Sequence, residues 1–271
     1  MTETTKVGII GAGGRMGRML IEAVHDNPAT TLTAAIERTG SSLLGADAGE
    51  VAGIGKLGVS LTDNLETALA DIEVLIDFSL PDATEQNVEL CAQHQVAMVI
   101  GTTGLSVEQE RKLDKASEQM PLVYAGNYST GVNLSLKLIE MAAKAFGESA
   151  DIEVIEAHHK HKVDAPSGTA YMMANAAALG RNQNLEDVAV YGREGQTGER
   201  KQGSIGIHAI RGGEIIGDHT VMFIADGEMI EITHRARVRM TFAAGAVRAA
   251  HWVISQPSGR YDMQDVLGIK D

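Results

Sequence analysis

The chain has 271 residues, a length that suits about two domains at roughly 150 residues each. With 23 Lys+Arg against 36 Asp+Glu its formal net charge is −13, and a chain this acidic is repelled at long range by nucleic acid and by an anionic membrane. Hydrophobic residues at 44% argue against disorder, and a single cysteine, Cys91, excludes an intrachain disulfide or a cysteine-based zinc cluster.

The polar opening MTETT has no signal-peptide pattern, and no apolar run approaches the ~20 residues of a membrane span. The expectation is a soluble protein of a reducing compartment, the cytoplasm. In chain order, KVGII (6–10) predicts a strand that runs through GAGGRMG (11–17) into a helix with Met16, Leu20, Ala23 and Val24 at helical spacing. TLTAAIE (31–37) predicts a second strand, followed by a glycine-spaced loop over about 39–60 and a short helix near 64–70. VLIDFS (74–79), VAMVIG (96–101) and PLVYAG (121–126) predict three further strands, separated by helices near 82–94 and 106–119. Cys91 falls in the first of these helices, where a small buried residue is expected. Strands this apolar, alternating with helices, imply a parallel sheet covered on both faces, a Rossmann-like doubly wound fold.

The pattern changes after residue 128. A long helix (132–146), the strand DIEVIEAHH (151–159) and a helix over 168–180 are followed by a polar, glycine-punctuated segment, 186–204, expected to be a mobile loop. Beyond it SIGIHAIRG, EIIGDHTVMFIAD and EMIEITHRA predict strands with little helix between them, an α+β domain with a mixed sheet. The tail over 240–256 is helical again. The reading is a dinucleotide-binding domain (1–129), a smaller substrate-binding and oligomerisation domain (130–239), and a C-terminal segment (240–271) that returns to the first.

GAGGRMG lies between a strand and a helix, the context that a dinucleotide fingerprint requires. Gly11 permits the tight turn, small residues after it let backbone N–H groups approach a pyrophosphate, and Gly17 lets the helix pack closely on the sheet. Glu37 ends the second strand, where a carboxylate can take the adenosine ribose hydroxyls, and the adjacent Arg38 could pair with a 2′-phosphate. The pair therefore permits NADH and NADPH alike, while two solvated charges at a strand end is the plainer alternative. GTTG (101–104) and AGNYSTG (125–131) fall at strand C-termini, where ligands bind in such sheets, although ordinary turns look the same.

In EAHHKHKVDAPSGTA (156–170) every residue from His158 to Lys162 is His or Lys, a cationic spot suited to a small polyanion. Histidine can deliver a proton near neutral pH, and a neighbouring ammonium can hold a carboxylate. Strand periodicity, if it continued, would place His158, Lys160 and Lys162 on one side and His159 and His161 on the other. Pro166-Ser167-Gly168-Thr169 looks like a helix start whose free N–H groups can cradle a carboxylate. A zinc site and a solvated basic turn are the competing readings; interleaved lysines disfavour the first.

GAGGRMGR, IDFS, VIGTTG, EAHHKHKVDAPSGTA, the REGQTGER loop and RMTFAAGAVRAA occur in this order. Together they resemble the dihydrodipicolinate reductase family, enzymes of the diaminopimelate route to lysine, from about residue 6 onward; the HHKHKVDAPSGT stretch is the specific part. The resemblance implies that Gly11, Ala12, Gly13, Gly14, Arg15 and Met16 surround the pyrophosphate of NADH or NADPH, with Glu37 on the ribose and Arg38 near a 2′-phosphate. Gly101, Thr102, Thr103, Ala125, Gly126, Asn127 and Tyr128 would line the nicotinamide. Gly126 stands where relatives often carry alanine, which leaves a backbone contact intact. His158 and Lys162 match the family's catalytic pair; His159, Gly168 and Thr169 match its substrate contacts, and Ser167 joins that set. The implied substrate is a cyclic dicarboxylate, no metal, nucleic acid or membrane takes part, and the chains are expected to form homotetramers through the sheet of the second domain. Another NAD(P)-dependent amino-acid or semialdehyde dehydrogenase would not need HHKHK followed by DAPSGT. A non-catalytic NAD(P)-sensing regulator would add a basic nucleic-acid-binding module.

Overall fold

A computed structural model describes residues 4–270, so most of the polar opening and the last residue lie outside the described part. Two compact units divide the chain, one built from residues up to Ser129 together with those from Met240 onward, the other from Thr130–Arg239. The first unit starts with β1 (Thr5–Ile10), α1 (Arg15–Asp26), β2 (Thr30–Ile36), α2 (Ala48–Ala52), β3 (Leu61–Thr62), α3 (Leu65–Ala68) and β4 (Val74–Asp77). It continues with α4 (Pro81–His94), β5 (Ala97–Ile100), α5 (Val107–Ser117) and β6 (Pro121–Tyr124). The second unit holds α6 (Thr130–Phe146), β7 (Asp151–His158), α7 (Gly168–Gly180), α8 (Leu185–Val188), β8 (Ala189–Tyr191), β9 (Ile205–Arg211), β10 (Asp218–Ile224) and β11 (Met229–Arg235). α9 (Met240–Val253), β12 (Gly259–Tyr261) and α10 (Met263–Leu267) belong to the first unit again.

The first unit is a seven-stranded, wholly parallel sheet in the order β12-β6-β5-β4-β1-β2-β3. Its strands are apolar on both sides because helices cover both faces. Val74 and Ile76 of β4 and Val99 of β5 join the α1 and α9 side, with Leu20, Ile21, Val24, Val247 and Ala250. Leu75, Met98 and Ile100, one residue out of phase, join the α4 and α5 side with Val88, Cys91 and Leu113. Cys91 is fully buried there, and burial pushes its thiol well above the usual range. Strand order reverses between β1 and β4, so the crevice beyond their C-terminal ends is the topological switch point, where ligands bind in such sheets. β12 extends the sheet from the C-terminal segment by pairing with β6.

The second unit carries a mixed five-stranded sheet in the order β11-β10-β7-β9-β8, with β7 parallel to β9 and antiparallel to β10. Helices α6 and α7 supply Ile139, Met173 and Ala177 to a core that takes Ile152 and Val154 from β7 and Val221 and Phe223 from β10. On the opposite face of the sheet Thr220 and Thr233 meet at 3.0 Å, and Ile210, Ile224 and Met229 are exposed.

The segment 186–204 differs from expectation. α8 and β8 occupy its first part, and the rest is tied to the sheet through Glu153, which accepts from both terminal nitrogens of Arg193 (2.9 Å each), from Arg200 Nε (3.0 Å) and from His208 Nε2 (2.7 Å). Arg193 and Arg200 thus pair with carboxylates 40–49 positions away, which composition does not reveal.

Candidate active site

In the first unit β1 delivers the chain to Gly11, whose φ of +67° lies in the left-handed region that favours glycine. Gly14 N–H closes the turn on the Gly11 carbonyl at 2.9 Å, and α1 starts at Arg15. Gly17 lies so close to the Gly11 carbonyl and to Ala12 that any side chain there would collide with backbone. In the first turn of α1 the N–H groups of Arg15, Met16 and Gly17 have no carbonyl partner within the helix and form the positive end of its dipole, and no side chain caps them. Two expected donors are committed elsewhere: Ala12 N–H bonds the Ile36 carbonyl (3.0 Å), and Gly13 N–H bonds Glu37 Oε2 (2.8 Å). Glu37 also accepts from Arg38 N–H (3.1 Å), so its carboxylate overhangs the glycine turn, with the Arg38 side chain exposed beside it. Uncapped donors next to a carboxylate at a switch point fit a dinucleotide's phosphates and ribose.

The two neighbouring loops present less than expected. Thr102 is buried, taking a hydrogen bond from Thr84 (2.8 Å) and giving one to Asp77 (3.4 Å), a fully buried carboxylate that also accepts from Ser79 N–H and Asn87 Nδ2. Ala125 is buried, and its N–H is used by the Ile100 carbonyl (3.2 Å). Tyr128 is 1% exposed, with its hydroxyl on the Ile100 (2.8 Å) and Val123 (3.0 Å) carbonyls and its ring 5.4 Å from Phe78. These three side chains serve the core. Gly101 and Asn127 are half-buried, while Thr103 and Gly126 are exposed at the strand ends. Asp77, at the end of β4, was not among the expected residues; the IDFS motif was its signal.

In the second unit β7 buries Ile152, Val154, Glu156 and His158 on one face, so the inward stripe turns from apolar to ionisable at its end. Glu156 is completely buried, and four donors meet it: Arg211 Nη1 (2.7 Å) and His158 Nδ1 (2.6 Å) at Oε2, Arg211 Nη2 (2.8 Å) and Ser167 N–H (3.0 Å) at Oε1. Burial would raise its carboxyl, but these donors outweigh burial and hold it below the usual range. Sheet register places Arg211 opposite His158 and His219 opposite Glu156. His158 lies below the usual imidazole range because burial and the nearby Lys162 and Arg211 charges outweigh the Glu156 carboxylate. His219 packs edge-on to it at 5.1 Å, and burial, then the His158 charge, push it down to about 4.

The cationic run does not continue as a strand. After His158 the chain turns, leaving Lys160 and His161 exposed and returning Lys162 N–H to the His159 carbonyl (3.1 Å). Lys162 pairs with Asp164 at 2.9 Å, and Asp164 presents its carbonyl to Arg211 at 2.6 Å. His159 is half-buried, with a buried Nδ1 that has no hydrogen-bond partner among the described residues. Ser167 is 2% exposed and already employed: its hydroxyl caps α7 at Ala170 N–H (3.1 Å) and meets His219 Nε2 (2.9 Å), so it serves as a latch instead of offering a free contact. Gly168 is exposed at the first position of α7, with Thr169 next to it. Among the described residues no group of three or more His, Cys, Asp or Glu side chains is arranged to hold a metal ion. Glu156, Arg211 and His219 were absent from the expected set.

A glycine turn at a switch point, an acidic residue closing β2 and a buried histidine in a second unit define a nicotinamide-dinucleotide oxidoreductase. Residues 5–128 match the family described as "Dihydrodipicolinate reductase, N-terminus" and residues 131–267 its C-terminal counterpart. A relative from Psychrobacter arcticus named 4-hydroxy-tetrahydrodipicolinate reductase is 74% identical over 98% of this chain and 95% of its own. One of the same name from Acinetobacter baumannii is 58% identical over 100% of this chain and 99% of its own. A solved structure, "Dipicolinate bound Dihydrodipicolinate reductase from Paenisporosarcina sp. TG-14", has a TM-score of 0.78 at 27% identity, covering 97% of this chain and 99% of that one. The chain belongs to the dihydrodipicolinate reductase family.

Proposed function

We propose that this chain reduces 4-hydroxy-2,3,4,5-tetrahydrodipicolinate to tetrahydrodipicolinate with NADH or NADPH and net loss of water, in the diaminopimelate route to lysine. Membership of the family across both units supports the reaction. The observation that carries the mechanism is His158, fixed through Nδ1 by a buried carboxylate so that Nε2 is its remaining functional nitrogen. When bound, the dinucleotide supplies hydride to the ring carbon that loses the hydroxyl. Arg15 and Met16 N–H groups hold its phosphates, Glu37 its ribose and Arg38 any 2′-phosphate, while Gly101, Thr103, Gly126 and Asn127 face the nicotinamide through backbone and short side chains. His158 Nε2 protonates the adjacent ring carbon. Lys162 exchanges Asp164 for a substrate carboxylate, and Gly168 and Thr169, with the unpartnered His159 Nδ1, receive the other polar groups.

The relative that is titled as binding dipicolinate supports the same chemistry, since that compound is a cyclic dicarboxylate. The exposed Ile210, Ile224 and Met229 on one face of the second sheet support assembly into a homotetramer through that sheet. Among the described residues no helix is long and apolar enough to cross a membrane, and we place the enzyme in the cytoplasm. The deciding experiment supplies the condensation product of pyruvate and aspartate semialdehyde and follows NADH and NADPH absorbance separately. Substrate-dependent oxidation of either supports the reading; none with both would end it. Sedimentation velocity tests the tetramer.

A further inference from the structure

Glu156 occupies a position where β7 otherwise buries Ile152 and Val154, and a carboxylate there needs a reason. An ionised carboxylate has about four acceptor sites, and all four are taken. Two go to Arg211 in a bidentate pair, one to the Ser167 N–H that precedes α7, and one to His158 Nδ1. It can neither rotate nor donate. His158 Nδ1 must therefore carry the hydrogen, and proton exchange is confined to Nε2. His219, kept neutral and held by Ser167, packs against the imidazole without competing for the carboxylate. Arg211 reaches the Asp164 carbonyl as well, and Asp164 holds Lys162. One guanidinium thus braces the supports of both candidate catalytic side chains.

We propose that Glu156, aligned by Arg211, is a positioning residue that fixes the tautomer and direction of His158 for proton delivery from Nε2. This inference rests on the reaction proposed above. The charged and titratable groups facing His158 are Glu156 on β7, Arg211 on β9, His219 on β10 with His234 beyond it on β11, and Lys162 and Asp164 in the connection after β7. Of these only Glu156 and Asp164 carry negative charge, and only Glu156 bonds the ring.

The test uses the full-length enzyme. A general acid must be protonated, so kcat falls as pH rises through the His158 pKa. In Glu156→Gln that fall moves to lower pH by about 1–3 units, the usual effect of losing an adjacent opposite charge. kcat near neutrality drops at least about tenfold, as when an orienting carboxylate is neutralised, with KM for the dinucleotide unchanged. A wild-type kcat and pH profile in E156Q would overturn the proposal. The double variant E156Q/R211Q removes both charges and guards against misfolding of the single one. Because losing Arg211 raises His158 while losing Glu156 lowers it, the double variant is read by kcat and not by its pH profile. Its kcat near neutrality stays at least about tenfold down if Glu156 positions His158, and recovery to the wild-type kcat would mean the carboxylate serves only the arginine. Imidazole nitrogen NMR of the wild-type enzyme above the His158 pKa needs no substrate, so it separates this inference from the reaction. An Nδ1–H resonance supports the inference, and a neutral Nε2–H form overturns it whatever the enzyme reduces.

Discussion

The side chain that Gly217 lacks would begin 3.1 Å from His158 Nε2. Gly217 sits in the connection that leads into β10, and its backbone needs no left-handed conformation, so what the glycine supplies is space beside His158 and not a special φ. The nitrogen left over by Glu156 is therefore bordered by the smallest residue available. Gly217→Val should cover Nε2 and reduce kcat by about 10²-fold, the scale expected when a reacting group is displaced by an ångström. The melting temperature should stay within a few degrees. Steady-state kinetics with a thermal melt decide it, and an unaltered kcat would show that the proton leaves by another path.

Removing the acid directly should have a larger effect. His158→Gln should lower kcat by ~10²–10⁴, the usual worth of a positioned general acid, with dinucleotide affinity little changed. Fluorescence titration with NADH and turnover measurements separate the two quantities. A near-normal kcat would remove His158 from the mechanism.

Arg38 is exposed beside a Glu37 carboxylate anchored to the turn. Arg38→Ala should weaken NADPH by about tenfold or more while leaving NADH nearly unchanged, because a guanidinium–phosphate bond is a strong charge-assisted one. Parallel losses with both dinucleotides would show that Arg38 does not contact the 2′-phosphate.

Glu153 should govern the acid stability of the second unit. Burial raises its carboxyl, yet hydrogen bonds from Arg193, His208 and Arg200 prevail and bring it down to about 2 from an ordinary 4.5. A depressed carboxyl stabilises the fold fully above its unfolded pKa, and that stability is lost as pH falls from about 4.5 toward about 2. Glu153→Gln should cost about 2 kcal/mol near neutrality, typical of hydrogen bonds to a charged group. The variant's melting temperature should fall less steeply than that of the wild type across the acid window. Parallel curves for the two proteins would mean that Glu153 does not set the limb.

The doubly wound sheet was legible because its strands are continuous apolar runs and the glycine turn has a fixed relation to Glu37. Local spacing sufficed there. The anchoring of His158 was not read, because Arg211 and His219 reach it through strand register from positions 53 and 61 residues further along the chain. A signal was nevertheless present: Glu156 and His158 are in phase with the buried Ile152 and Val154, and His219 is in phase with Val221 and Phe223. Ionisable residues on the buried phase of a strand are costly unless paired, so each implies a partner elsewhere. The hydroxyls of Ser167 and Tyr128 show the converse, since a motif does not reveal that one caps α7 and the other bonds the Ile100 and Val123 carbonyls.

The second unit interrupts the first between β6 and α9, and this has a consequence for synthesis. On the ribosome, the residues through Arg239 complete the second unit while the first still lacks a helix of its core and an edge strand. The apolar residues of α1 that will meet Val247 and Ala250 remain uncovered until the last part of the chain emerges. The unit that starts the chain is therefore the one that finishes folding last, and a message cut short near residue 240 would yield a complete second unit attached to an aggregation-prone first.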